Sequence, residues 1–123
     1  MNELLTKIKS GQSITKEERN LILSKLEDQS NNIELGQSIL AYGLTYRPTD
    51  ENITRIEKFL DSNSDIIISN SIRTLCSESY WGRIDKYIEK LKFIIEKKHV
   101  LQYSESQIVS FSVLGPYLKK KRT

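Results

Sequence analysis

The chain is predicted to be all-α: an α-solenoid of about three helix pairs with a short N-terminal capping helix. Three observations predict it. First, a pair of apolar segments recurs. Leu26-Glu27-Asp28-Gln29-Ser30 returns as Leu60-Asp61-Ser62-Asn63-Ser64, an offset of 34, and Ser38-Ile39-Leu40-Ala41-Tyr42-Gly43 returns as Ser71-Ile72-Arg73-Thr74-Leu75-Cys76, an offset of 33. Ser112-Val113-Leu114-Gly115-Pro116-Tyr117 is a looser third copy, 41 residues further on. Periods of this length mark units that bury their apolar faces by stacking. Second, apolar residues inside the segments recur at spacings of three and four, the helical period. Third, capping-box patterns stand before two of the segments.

Taken in order, Leu4, Leu5 and Ile8 form a short amphipathic helix over Asn2 to Lys9, ending at Gly11. Thr15-Lys16-Glu17-Glu18 is a capping box, and Ile22 and Leu26 follow it with Leu21 and Leu23 beside them. After a turn at Ser30-Asn31-Asn32, a second helix from about Ile33 to Tyr42 carries Leu35, Ile39 and Tyr42 on one face. Gly36 and Gly43 permit a close approach or a C-terminal cap there. Pro48 forces Arg47 to be extended, Thr49 caps, and Asp50 and Glu51 sit at the positive end of the next helix dipole. Ile53, Ile56 and Leu60 are its stripe, with Phe59 adjacent.

Ser62-Asn63-Ser64-Asp65 then turns the chain. Ile66-Ile67-Ile68 alone would favour a strand, but the repeat and the Ile68, Ile72, Leu75 spacing favour a helix to Cys76. The third unit opens at Tyr80-Trp81-Gly82, and Ile84, Ile88, Leu91 and Ile95 form the clearest helical stripe. A longer turn runs from Glu96 to Tyr103. Ser104-Glu105-Ser106-Gln107 is the second capping box, and Ile108, Phe111 and Leu114 continue to Pro116, which should bend or end the helix. The organisation expected is one domain over 1–123, with helix pairs at about 15–45, 49–78 and 82–118 and a basic tail at 119–123.

These segments resemble HEAT-like repeats, chiefly Ile53 to Leu91, with looser similarity over about residues 15 to 118. Serine and asparagine stand where good HEAT repeats carry an Asp-Arg ladder, so ARM-like or plain α-α packing would satisfy the same positions. In size and in its Ile, Asn, Ser and Lys content the chain also looks like small HEAT-like bacterial proteins. Some of those are immunity proteins that neutralise the toxins of contact-dependent growth inhibition systems. The resemblance implies a cytoplasmic inhibitor that binds a cognate toxin, a nuclease among the options, one to one.

Composition narrows the alternatives. At 123 residues, a chain of this kind buries roughly two-thirds of its unfolded surface and needs no staple. No apolar run approaches the ~20 residues that span a bilayer, and Met1 to Lys7 holds no apolar signal core. The single cysteine, Cys76, excludes an internal disulfide framework and a cysteine-based metal site. Lys119, Lys120, Lys121 and Arg122 carry four positive charges, so without them the net charge falls from +3 to −1.

Catalytic material is sparse, and neither an enzyme, a cofactor nor a metal is expected. The one histidine, His99, lies in a basic turn and is expected in solvent. Cys76 ends an apolar stripe with no base beside it and reads as a buried small hydrophobe. No glycine loop suited to phosphate is present. Asp85 and Glu89 share a helix face with Lys86 and Lys90 interleaved, which reads as a solvated face. The Asn52-Ile53-Thr54 sequon falls on a helix start and reads as chance.

Charge is concentrated in the first helix of each pair. The second helices hold only Glu34 between Ile33 and Tyr42, only Arg73 between Ile66 and Cys76, and none between Ser106 and Leu118. Their polar residues are Gln37, Ser38, Ser69, Asn70, Ser71, Thr74, Ser110 and Ser112. A groove for nucleic acid would be lined with Lys and Arg, whereas a protein interface tolerates a neutral centre. Packing of this row between neighbouring units is the plainer reading. The partner-binding candidates are Tyr42, Tyr46, Arg47, Arg73, Tyr80 and Arg83, because Tyr and Arg dominate interface hot spots. Trp81 reads as core between units. Lys119, Lys120 and Lys121 join the candidates as a basic tail for an acidic partner. The alternative function is a nucleic-acid-associated or regulatory adaptor protein using that tail. A monomer or a 1:1 heterodimer, with no membrane contact, is expected.

Overall fold

A computed structural model describes residues 1–77, 83–96 and 104–122, with side chains described as far as Lys119. These residues form seven α-helices and no strand: α1 (Asn2–Lys9), α2 (Lys16–Glu27), α3 (Asn32–Thr45), α4 (Asp50–Phe59), α5 (Asp65–Leu75), α6 (Ile84–Glu96) and α7 (Glu105–Arg122). The chain is therefore all-α over the described residues. Tyr80, Trp81, Gly82, His99 and the turn through Tyr103 lie outside them.

Helix starts follow local chemistry. The Thr15 hydroxyl accepts from the Glu18 amide at 3.1 Å, and the Glu18 carboxylate accepts from the Thr15 amide at 2.8 Å. With Lys7 also 3.0 Å away, these contacts hold the Glu18 carboxyl below its ordinary pKa, the Thr15 amide most strongly. Asn31 and Thr49 cap α3 and α4 through the amides of Glu34 and Asn52. Ser104 and Gln107 exchange side-chain bonds to each other's amides at the start of α7. Gly11 ends the α1 turn at a φ of +81°, a left-handed conformation that only glycine adopts freely.

The Ile66-Ile67-Ile68 run is helical, because α5 is enclosed on three sides. It packs between α3 and α7 and against α4. Ile67, Ile68, Ile72 and Leu75 are buried with Leu35, Ile39, Ile56 and Leu91 in one core. Helices α6 and α7 pack together, as do α2 and α3, while α1 covers the other side of α3.

Contacts between α3 and α5 run through polar side chains. The Asn70 amide donates to the Gly36 carbonyl at 2.9 Å, and the Thr74 hydroxyl donates to the Ile39 carbonyl at 3.2 Å. Both glycines of α3 face α5. A Cβ on Gly36 would lie 3.1 Å from Ile66 Cγ1, and one on Gly43 only 2.6 Å from Thr74 Cγ2. Gly43 therefore serves close approach, and the C-cap of α3 is Tyr46 in an extended conformation. On the other side of α5, the Asp65 carboxylate accepts from the Ser106 hydroxyl at 2.6 Å. Ion pairs at the surface link α2 to α4 and α6 to α4 and the turn after it: Arg55 to Glu27 at 3.7 Å, Lys86 to Glu57 at 3.1 Å, and Lys90 to Asp61. Such pairs contribute little individually.

Ser38, Ser69, Asn70, Ser71, Thr74 and Ser110 are buried between helices, the packing that is the plainer reading of the sequence, whereas Gln37 is half-buried and Ser112 exposed. One expectation needs correction. Helix α7 runs through Pro116 to Arg122, so Lys119 to Arg122 form its last turn and not a separate tail. Pro116 lacks the N–H that would bond the Ser112 carbonyl, but both residues lie on the exposed side, where water can reach. Four cations at the negative end of the helix dipole favour that turn.

A candidate protein-binding face on helix α3

On α3 a row of uncharged residues lies away from Leu35, Ile39 and Tyr42, with Leu40 of that row also packing against the core. Leu35, Ile39 and Tyr42 point inward, whereas Ile33, Gln37, Leu40 and Leu44 recur at i, i+4, i+7 and i+11 and are exposed or half-buried. Ile33 is 59% exposed and Leu44 48%. The stripe spans about 16 Å of helix and carries no charge. Sequence reasoning missed it: the signal was present as three apolar residues that fall outside the Leu35, Ile39, Tyr42 period.

At the C-terminal end of α3, on the side of Tyr42 and away from this stripe, stands a cluster of aromatic and cationic groups. The Tyr42 and Tyr46 rings stack at 5.2 Å with 14° between their planes. The Arg19 guanidinium sits 5.5 Å from the Tyr46 ring centroid, and the Tyr46 hydroxyl donates to the Arg19 carbonyl at 2.9 Å. The Tyr42 hydroxyl donates to the Arg47 carbonyl at 3.3 Å and accepts from the Asn52 side-chain amide at 2.9 Å. Tyr42 is 0% exposed and cannot touch a partner, a correction to its candidate role; it fixes the Tyr46 ring instead. Tyr46 is half-buried and Arg47 exposed, so these two neighbours reach the surface.

The remaining candidates are separate from this cluster. Arg73 on α5 donates to Asn70 Oδ1 and to Glu105 Oε1, each at 2.8 Å, and so ties α5 to α7. Arg83 is exposed and lies 3.4 Å from Asp85. Lys119 is exposed on the last described turn of α7, Lys120 and Lys121 follow on the same helix with side chains outside the described ones, and Tyr80 is outside the described residues.

Burial pushes the Cys76 thiol up to about 12, far from a nucleophilic thiolate at neutral pH. Among the described residues no three His, Cys, Asp or Glu side chains lie close enough together to hold a metal. A cleft of about 270 Å³ lined by Asn32, Leu35, Phe59, Ser62 and Ile67 opens near the α2–α3 and α4–α5 turns, with only Lys58 and Asp61 charged on its rim. No described helix is long and apolar enough to cross a membrane.

No protein-family model, curated protein or solved structure matches this chain.

Proposed function

We propose that this chain is a HEAT-like stack of helix pairs that binds one protein partner and inhibits it. The specific form is an immunity protein that neutralises a cognate bacterial toxin by covering its active site or substrate path. The observation that carries protein binding is the uncharged stripe Ile33, Gln37, Leu40 and Leu44, with Ile33 59% and Leu44 48% exposed. Interface centres are depleted in charge, and large apolar residues left in solvent suit one. Stacking of equivalent helices is supported by the bonds from Asn70 to Gly36 and from Thr74 to Ile39, which join residues 34 and 35 apart, close to the repeat period. The toxin-directed form rests on the resemblance in size, helical type and composition.

The test is affinity capture of the tagged chain from its native cell, followed by co-expression with the protein captured. One stoichiometric partner whose toxicity is relieved by the chain, and whose capture is lost with Leu44→Asp, is the expected result. Nucleic acid that elutes with salt in place of a protein would favour the basic end of α7 as the functional element. A partner that is retained by the α3 variant would remove the α3 face from the proposal.

A further inference from the structure

We propose that the outer face of α7 is a self-association seam, on which two copies of this chain pack their last helices antiparallel about Ser112. The seam is a different face from the α3 stripe and goes beyond partner binding.

Val109 and Leu114 of α7 enter the core, and Val113, Tyr117 and Leu118 pack against it. On the outer side two large apolar residues stay in solvent among polar ones: Ile108 is 54% exposed and Phe111 44%.

The exposed residues follow a seam pattern. Glu105, Ile108, Ser112, Gly115 and Lys119 recur at alternating spacings of three and four and are all exposed. This is the spacing by which one helix lies along another with knobs in holes. The set is complementary to itself when reversed. Glu105 and Lys119 are each seven residues from Ser112, so antiparallel copies place each acid opposite the other copy's base. In the same register, Ile108 falls over the space between Ser112, Gly115, Pro116 and Lys119 of the other copy. That space is open, since nothing lies within 4 Å of where a Gly115 Cβ would be. Between the charged ends the seam carries no charge.

Glu105 also holds Arg73 at 2.8 Å, but its side chain is 52% exposed and a carboxylate accepts several bonds. Charge complementarity of this kind selects the antiparallel arrangement, because a parallel one would set Glu105 against Glu105 and Lys119 against Lys119. The fourteen rises from Glu105 to Lys119 give a seam of about 21 Å. One helix face buries less than the ~800 Å² per partner of a stable complex, so a weak, concentration-dependent dimer is expected.

Sedimentation velocity of the full chain from about 1 to about 500 µM tests this. The expected result is a shift from monomer to dimer across the series, weakened at least tenfold by Ile108→Glu and by Lys119→Glu, with helicity unchanged. Ser112→Cys should cross-link as a dimer under oxidised glutathione, whereas Lys92→Cys, exposed on α6, should not. A monomer at every concentration with no Ser112→Cys cross-link, or a dimer indifferent to both charge-introducing variants, would overturn the seam.

Discussion

The Asn70 side chain on α5 donates to the Gly36 carbonyl on α3 at 2.9 Å, and its own oxygen accepts from Arg73 at 2.8 Å. One amide therefore links α3 to α5, and through the Arg73–Glu105 pair to α7. Asn70 is 5% exposed, so water does not easily replace these bonds.

Replacing Asn70 with Ala should lower stability by about 1–3 kcal/mol, the cost of a lost buried hydrogen bond with its packing. Asn70→Asp should cost more, since an oxygen would then face the Gly36 carbonyl. Urea unfolding followed by circular dichroism measures both. Equal stability of wild type and Asn70→Asp would show that the link carries no weight.

Two glycines in helices should respond in opposite directions to alanine. At Gly43 the new methyl would meet Thr74 Cγ2 at 2.6 Å, and overpacking of this kind costs about 1–3 kcal/mol. Thr74→Ser in the same chain removes that methyl and should recover part of the loss. At Gly115 there is open space, and alanine should stabilise the monomer by about 0.5–1 kcal/mol through helix propensity. The thermal midpoints at low protein concentration should therefore move down for Gly43→Ala and up for Gly115→Ala.

Cys76 makes an alkaline contribution of known sign. Its thiol ionises near 9.0 when free and near about 12 in the fold, because burial disfavours the thiolate. The unfolded chain thus holds fewer protons than the native one between those values, and stability falls as pH rises through that window. A comparison of wild type with Cys76→Ala from neutral pH upward isolates the effect: the alanine variant should lose less stability above pH 9.0. In the native state the thiol should also react with aromatic disulfide reagents only as fast as the protein unfolds.

Ile33→Asp and Leu44→Asp place charges on the α3 stripe, where no packing is lost on the core side. Each should change stability by less than about 0.5 kcal/mol and weaken partner binding tenfold or more. Isothermal titration with the captured partner gives the affinity, and a thermal melt gives the stability. A stable variant with unaltered affinity would place the interface elsewhere.

Much of the helical framework was legible, because caps and stripes are local. Thr15 with Glu18, Thr49 with Asn52, and the Ile53–Ile56 spacing each announce a helix from a few neighbouring residues. Ile66 to Ile68 needed the repeat, since their local preference is for a strand. The site was less legible. Tyr42 and Tyr46 look alike in sequence, but one ring is sealed in the core and the other stands at its edge.

The sequence by itself determined an all-α chain, because periodicity, capping and composition act over a turn or two. Only the tertiary structure decided which polar residues are buried and which apolar ones remain outside. Asn70 and Thr74 go inside since the approach of α5 to α3 at Gly36 and Gly43 brings α3 carbonyls within reach of their side chains, while Ser38 bonds the Glu34 carbonyl of its own helix. Ile33, Leu44 and Ile108 stay out because each helix can turn only part of its circumference toward its neighbours.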